Sequence, residues 1–227
     1  MTRRIRQQDI LPEETLLGRN VHVVGCGAIG SFVALSVGKM AGPDVNLFLY
    51  DDDEVSEENL AVQFYRTSDI GRNKAEALSE IIQAFDGPVP IVEARRIGKD
   101  DHLGGIVLAC TDTISSRSDI FDAAYRGGAR VLVDGRMGSE FIKVLSCDFD
   151  NEDEVAFYRK SLMGSPYREP CTAKAIIYTV NLAAGIVVST LKQWLTGVDR
   201  PAEFTLDARH LYPNVLDPIA PSAEEAA

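Results

Sequence analysis

The run Gly25-Cys26-Gly27-Ala28-Ile29-Gly30 follows directly on the apolar segment Val21-His22-Val23-Val24 and opens a stretch carrying small residues at Ser31, Ala34 and Gly38. That junction constrains the fold more than any other feature of the chain. A strand that feeds a helix through a glycine-rich turn brings the helix close to the sheet and aims backbone N–H groups at an anion beyond the helix N-terminus. Residues 21–24 are therefore read as a buried strand and residues 28–40 as its helix. A second strand over residues 46–50 ends at Asp51, about 20 positions beyond the turn, where a carboxylate can accept the hydroxyls of a ribose.

The alternation continues. Residues 74–85 are predicted as an amphipathic helix, 89–93 as a third strand, 106–110 as a fourth that delivers Thr111 and Asp112, 115–125 as a helix and 130–133 as a further strand. Strands alternating with helices favour right-handed crossovers and a mostly parallel sheet. The fold class is accordingly α/β, Rossmann-like, with helices flanking the sheet and an antiparallel extension after residue 140 that begins with a strand at 141–149. The polar stretch 52–69 is too long to be a simple connection and reads as functional. Residues 151–170, with Gly164, Pro166 and Pro170, read as a mobile crossing segment. Residues 172–194 read as the last long helix and 203–206 as a short strand. The whole of 1–227 is expected to be one domain, with a loose tail after about residue 212.

Composition excludes several functions. A net charge of -11 opposes general affinity for nucleic acid or anionic lipid. The stretch 175–191 carries Tyr178, Thr179, Asn181 and Ser189, too polar and too short to span a membrane. Cys26, Cys110, Cys147 and Cys171 form no C-x-x-C pair, so neither a zinc site nor a disulfide framework is expected, and reduced thiols in a cytoplasm are. The basic N-terminus is not followed by an apolar run, which argues against a signal peptide. His22, His102 and His210 are scattered and make no catalytic cluster.

Two further residues go beyond a plain dinucleotide site. Lys74 can neutralise phosphate as a compact cation, and Asp112, at a strand end, can hold Mg²⁺ together with phosphate oxygens and waters. With Gly25, Gly27, Gly30 and Asp51 they describe a pocket for a nucleoside triphosphate and a metal. Asp52, Asp53 and Glu54 read as solvated charge.

At this point the chain resembles the ThiF/MoeB group, which includes the ubiquitin-activating enzymes. The resemblance rests on Arg6-Gln7, the glycine loop from Gly25 to Ser31, the acidic strand end at Asp51, Asn59-Leu60-Ala61-Val62-Gln63, Asp69-Ile70-Gly71-Arg72-Asn73-Lys74 and Cys110-Thr111-Asp112. It covers roughly residues 5 to 197 in the family's order. It implies ATP binding by Gly25, Gly27, Gly30, Asp51, Asn59, Gln63 and Lys74, with Mg²⁺ on Asp112. It implies adenylation of a C-terminal carboxylate, usually the Gly-Gly end of a small ubiquitin-like or sulfur-carrier protein. It further implies a homodimer in which Arg6 reaches the partner's phosphates, against the alternative of a solvated basic arm.

The chain departs from the family in three ways. Val62 stands where the family has an arginine. Arg66 is a candidate to supply the missing charge, its alternative being ordinary surface charge. The family's zinc-binding cysteine pairs are absent, so no structural zinc is expected. Cys171 lies where one branch carries a cysteine that forms a thio-linkage, and it reads either as a nucleophile favoured by a helix N-terminus or as a packed side chain. Two other functions stay open: a weakened member that serves as an ATP-binding dimeric scaffold, and activation of a small-molecule or tRNA-borne carboxylate. A nicotinamide-dependent oxidoreductase would leave Lys74 and Asp112 unexplained.

Overall fold

Eight strands form a single mixed sheet in the order β3-β2-β1-β4-β5-β6-β7-β8. The computed structural model describes residues 6–163 and 175–216. The strands are β1 (Asn20–Val24), β2 (Asn46–Tyr50), β3 (Ile91–Glu93), β4 (Gly105–Ala109), β5 (Ala129–Gly138), β6 (Phe141–Asp148), β7 (Glu203–Asp207) and β8 (Tyr212–Leu216). The helices are α1 (Ala28–Ala41), α2 (Lys74–Ala84), α3 (Ile114–Gly127), α4 (Glu152–Leu162) and α5 (Ile177–Leu195). Strands β1 to β5 pair in parallel, and β6, β7 and β8 add antiparallel neighbours, as the sequence predicts.

The central strands are apolar on both faces because helices cover both. One core lies on the side of α1, α2 and α5, around Val21, Val23, Leu47, Leu49, Leu78 and Val187. The other lies on the side of α3 and α4, around Val24, Val107, Phe121, Leu132 and Tyr158. The strand order reverses between β1 and β4, and that reversal splays the loops leaving their C-terminal ends to opposite faces. A crevice opens there, where ligands of such sheets collect.

Two segments differ from the sequence expectation. The stretch read as a mobile crossing segment contains helix α4, started by Asn151, whose side chain accepts from the backbone N–H groups of Asp153 and Glu154 at 3.1 and 3.3 Å. Glu152, Asp153 and Glu154 occupy its first turn and Arg159 and Lys160 its last, complementing the helix dipole. The prolines that suggested irregular chain lie beyond the helix. The tail read as loose after about residue 212 supplies β8, which pairs antiparallel with β7 from Tyr212↔Asp207 to Leu216↔Glu203. Its residues are exposed because it is the sheet edge, so no apolar alternation marks it.

Candidate nucleotide-binding site

The glycine turn is built for close approach. Gly25 has φ +92°, and a Cβ there would meet the Cys110 carbonyl oxygen at 2.8 Å. A Cβ on Gly30 would come within 1.8 Å of the Gly25 carbonyl oxygen. Gly27 is different: a Cβ there would meet nothing within 4 Å. Its bare backbone therefore faces open space at the start of α1. Helices α2, α3 and α4 begin at side chains that accept from the first N–H groups, whereas α1 begins at Gly27 with no such cap. The unsatisfied donors of that first turn are what a phosphate would accept from.

Two side chains pin the turn from beneath. The Asp51 carboxylate accepts from the Cys26 N–H at 2.6 Å and the Asp53 N–H at 2.9 Å. Burial raises the Asp51 pKa, and these two N–H groups oppose the rise. The Tyr65 hydroxyl donates to the Cys26 carbonyl at 2.6 Å and lies 3.2 Å from that of Lys74, tying the glycine turn to the start of α2. Burial pushes the Cys26 thiol well above its ordinary range and the Cys110 thiol up to about 12, so both are small apolar side chains under the turn.

A cleft of about 920 Å³ runs across the C-terminal strand ends. Gly25, Gly27, Asp51, Gln63, Lys74 and Asp112 all line it. Gly30 lies directly beneath the turn. Lys74 is nearly buried, and its Nζ is held 2.8 Å from Asp53 Oδ2, so Asp53 is a partner of the cleft lysine rather than idle surface charge. Asp112 is exposed to the cleft and has no hydrogen bond or ion pair among the described residues. The Gln63 side-chain oxygen is buried without a partner among the described residues, an acceptor left for a ligand's donor.

Other sequence candidates lie elsewhere. Asn59 does not line the cleft; its Oδ1 accepts from the Ser56 N–H at 3.0 Å and caps the short turn Glu57–Asn59. Val62 stands in the cleft wall, and Arg66 does not. The Arg66 guanidinium is instead forked onto buried Asp69, with Nε and Nη2 at 2.9 and 2.8 Å from its two oxygens. Arg6 is exposed and away from the cleft lining. Cys171 lies outside the described residues.

Four residues in and beneath the cleft floor escape sequence reading: Arg117 and Arg136 line it, and Asp134 and Tyr158 lie buried under them. Asp134 on β5, fully buried, receives Arg117 of α3 on one oxygen and, on the other, Arg136 Nε at 2.7 Å and the Tyr158 hydroxyl at 3.0 Å. Arg117 also donates to the Thr111 carbonyl and, at 3.2 Å, to that of Gly135. Burial, and then the neighbouring Arg136 charge, lower the Arg117 pKa to about 10. The signal for this network is faint. Asp134 and Arg136 share a strand face at period two, but nothing in the sequence says that Arg117, 17 residues earlier, comes back to meet them.

A mostly parallel sheet with its crevice at the β1/β4 switch, a glycine turn opening α1 and a carboxylate just past the end of β4 define a Rossmann-like α/β protein with a candidate nucleotide site. The ThiF family profile matches residues 3–221, and the chain belongs to that family. Ubiquitin-activating enzyme E1 1 of Candida albicans (strain WO-1) is 25% identical over 157 residues, which are 67% of this chain and 14% of that enzyme. The chain thus spans about one-seventh of that relative's length. Among solved structures, PaaA superposes with a TM-score of 0.70 at 20% identity, covering 90% of this chain and 74% of PaaA. MccB of E. coli with ATP superposes with a TM-score of 0.68 at 14% identity, covering 93% and 67%. These likenesses establish the shared fold.

Proposed function

We propose that this chain adenylates the C-terminal carboxylate of a small ubiquitin-like or sulfur-carrier protein. The observation that carries this reading is the meeting of the uncapped glycine turn, Lys74 and unpaired Asp112 in one cleft at the strand-order switch. The named relatives support it: one is a ubiquitin-activating enzyme, and MccB has been crystallised with ATP and with AMPCPP plus MccA.

In this reading Asp51 receives the ribose, the N–H groups at the start of α1 receive phosphate oxygens, and Lys74 neutralises them after exchanging part of its contact with Asp53. The substrate carboxylate oxygen attacks the α-phosphorus, the bond from that phosphorus to the bridging oxygen breaks, and pyrophosphate leaves with the bond's electron pair. The products are an acyl-adenylate and pyrophosphate. The barrier is the crowding of negative charge, so the chain's part is positioning and electrostatic stabilisation. The donor set suits Mg²⁺, since the free group offered by Asp112 is a hard carboxylate oxygen beside phosphate oxygens. Mg²⁺ supplies charge neutralisation when bound; Asp112 is the residue that would hold it.

We also assign a homodimer with Arg6 acting in trans, a cytoplasmic setting and, for Cys171, attack of its thiolate on the acyl-adenylate carbonyl, which forms a thioester, releases AMP and leaves the thiol proton to solvent. Among the described residues no helix is long and apolar enough to cross a membrane, and Cys26, Cys110 and Cys147 are free thiols. The test is ATP–pyrophosphate exchange with a panel of small proteins ending in Gly-Gly. Exchange that requires both the carrier and its free C-terminus supports adenylation. ATP binding without exchange across the panel supports the second reading, a dimeric ATP-binding scaffold, which Val62 in the cleft wall and the engagement of Arg66 by Asp69 favour. Exchange driven by a small acid or by a tRNA-borne carboxylate would move the substrate to that class.

A further inference from the structure

The cleft extends past the strand end that carries Asp112, onto β5 and β6. Sheet order sets the sequence of groups along it: Asp51 from β2, the glycine turn from β1, Asp112 from β4, then Arg136 from β5 and Lys143 from β6. At about 4.8 Å per strand, Arg136 stands roughly 14 Å from the Asp51 end. The register fixes its level. Asp134 pairs with Ala109, so Arg136, two residues on, comes level with Thr111, beside Asp112.

Two arrangements on this wall are unfavourable without an anion. First, two guanidinium groups, Arg117 and Arg136, share the single carboxylate of Asp134, leaving a net positive charge at the cleft floor. Arg117 is consumed by Asp134 and the carbonyls of Thr111 and Gly135, whereas Arg136 faces the cleft. Second, Arg136 lies directly opposite Lys143 in the antiparallel ladder, a cation facing a cation on one sheet face. Like charges so placed repel; Glu203, 3.2 Å from Lys143, offsets one of them, while Arg136 has only its share of Asp134. Arg136 is also held still: Nε is on Asp134 at 2.7 Å, Nη2 is on the Ser161 hydroxyl at 3.0 Å, and its plane lies over the Tyr158 ring at 5.9 Å. Nη1 also reaches the Ser161 carbonyl at 3.4 Å, so each terminal nitrogen keeps one further N–H, and a guanidinium fixed in this way is preorganised to donate a charge-assisted hydrogen bond to a carboxylate.

Resting on the adenylation reading above, we propose that Arg136, assisted by Lys143, receives the free C-terminal carboxylate of the incoming peptide and presents it to the α-phosphate beside Asp112. The wall supplies, from the substrate side, positive charge that Val62 does not bring to the phosphate side. The substrate class it selects is a peptide chain ending in an unmodified carboxylate.

The experiment uses the full chain saturated with Mg²⁺ and the non-hydrolysable analogue AMPCPP. A synthetic heptapeptide ending in Gly-Gly is titrated as its free acid and as its C-terminal amide, with binding followed by ligand-detected NMR. Wild type is expected to prefer the acid by at least about tenfold, the lower bound for a charge-assisted hydrogen bond. Arg136→Met should erase that preference while AMPCPP affinity, measured by calorimetry, changes by less than about twofold, because the phosphates are held elsewhere. Arg136→Lys should restore part of the preference. Lys143→Gln, which leaves the Asp134 pairing intact, should reduce it by about threefold, as a partly exposed charge does. An absent preference in wild type, a preference retained in folded Arg136→Met, or a parallel loss of AMPCPP affinity overturns the proposal; the last would make Arg136 a phosphate ligand. If wild type takes up no AMPCPP, the adenylation reading itself falls. Nucleotide uptake without acid preference removes only this proposal.

Discussion

Gly30 is where the sequence has least choice. An alanine there must displace the Gly25 carbonyl, backbone against backbone, which no rotamer relieves. Gly30→Ala is expected to cost about 3 kcal/mol or more, read as a lowered thermal midpoint; an unchanged midpoint would mean that the turn is looser than described. Asp112 and Arg66 separate chemistry from architecture. Asp112→Ala removes an exposed side chain with no hydrogen bond or ion pair among the described residues, so the fold should persist while carrier-dependent exchange falls by at least about 100-fold. Undiminished exchange would reject its metal role. Arg66→Ala should do the reverse. It strips the main partner from buried Asp69 and should cost about 1 kcal/mol at neutral pH, with Arg72 at 3.4 Å taking over part of the charge. Because Arg66 holds the Asp69 pKa below its ordinary value, this contribution is present above the unfolded carboxylate range and is lost as pH falls through the depressed value. Denaturant midpoints of wild type and variant should therefore converge in acid. Exchange activity that collapses in Arg66→Ala would instead place that guanidinium in catalysis.

At the scale of elements, β1 and β2 carry a titrating pair inside the sheet. His22 stacks on Phe48 at 4.5 Å, and its Nδ1 lies 3.0 Å from the Tyr50 hydroxyl. Burial lowers its pKa to about 4. Between the unfolded value of about 6.5 and that lowered value the unfolded chain binds the extra proton, so stability falls as pH drops through this window, by about 3 kcal/mol in total. His22→Gln should flatten the pH dependence of the unfolding midpoint there, and a slope unchanged by the substitution would assign the acid response to other groups. Helix α4 links structure to chemistry differently. Buried Glu154 receives Arg200 at 2.5 Å and the Asp148 N–H at 2.8 Å, which fastens the helix to β6 and to the segment before β7. The same helix brings Tyr158 and Ser161 onto Asp134 and Arg136, so the orientation of the cleft wall depends on it.

For the whole molecule, the opposing signs of surface and cleft matter. A chain of net charge -11 repels polyanions at large, while its cleft gathers Lys74, Arg95, Arg96, Arg117, Arg136, Lys143 and Lys160 against five carboxylates, Asp51, Asp52, Asp53, Asp112 and Glu203. At physiological salt, screening acts over about 8 Å, so a ligand inside the cleft responds chiefly to these nearby groups and little to the distant surface charge. The proposed dimer makes a sharp prediction at this scale. If Arg6 works across a two-fold axis, mixing inactive Arg6→Ala with inactive Asp112→Ala should restore exchange to about a quarter of wild type, since half of the dimers are mixed and each has one intact site. No restoration after subunit exchange, verified by sedimentation, would remove Arg6 from the partner's site.

The sequence by itself determined the parallel α/β frame, because a strand buried on both faces and a glycine turn before a helix are local patterns with few compatible folds. It likewise determined that Gly25, Asp51, Lys74 and Asp112 share a cleft, since each ends a strand or starts a helix at the same sheet edge. It did not reveal α4, whose Asn151 cap was outweighed by the glycine and prolines that follow, nor β8, an exposed edge strand without an apolar stripe. Only the tertiary structure decided that Arg66 turns to Asp69, and that Arg117, Asp134, Arg136 and Tyr158 close into one network under the cleft. Those partners come from different elements, and a guanidinium chooses among carboxylates by distance and burial, which sequence order does not encode.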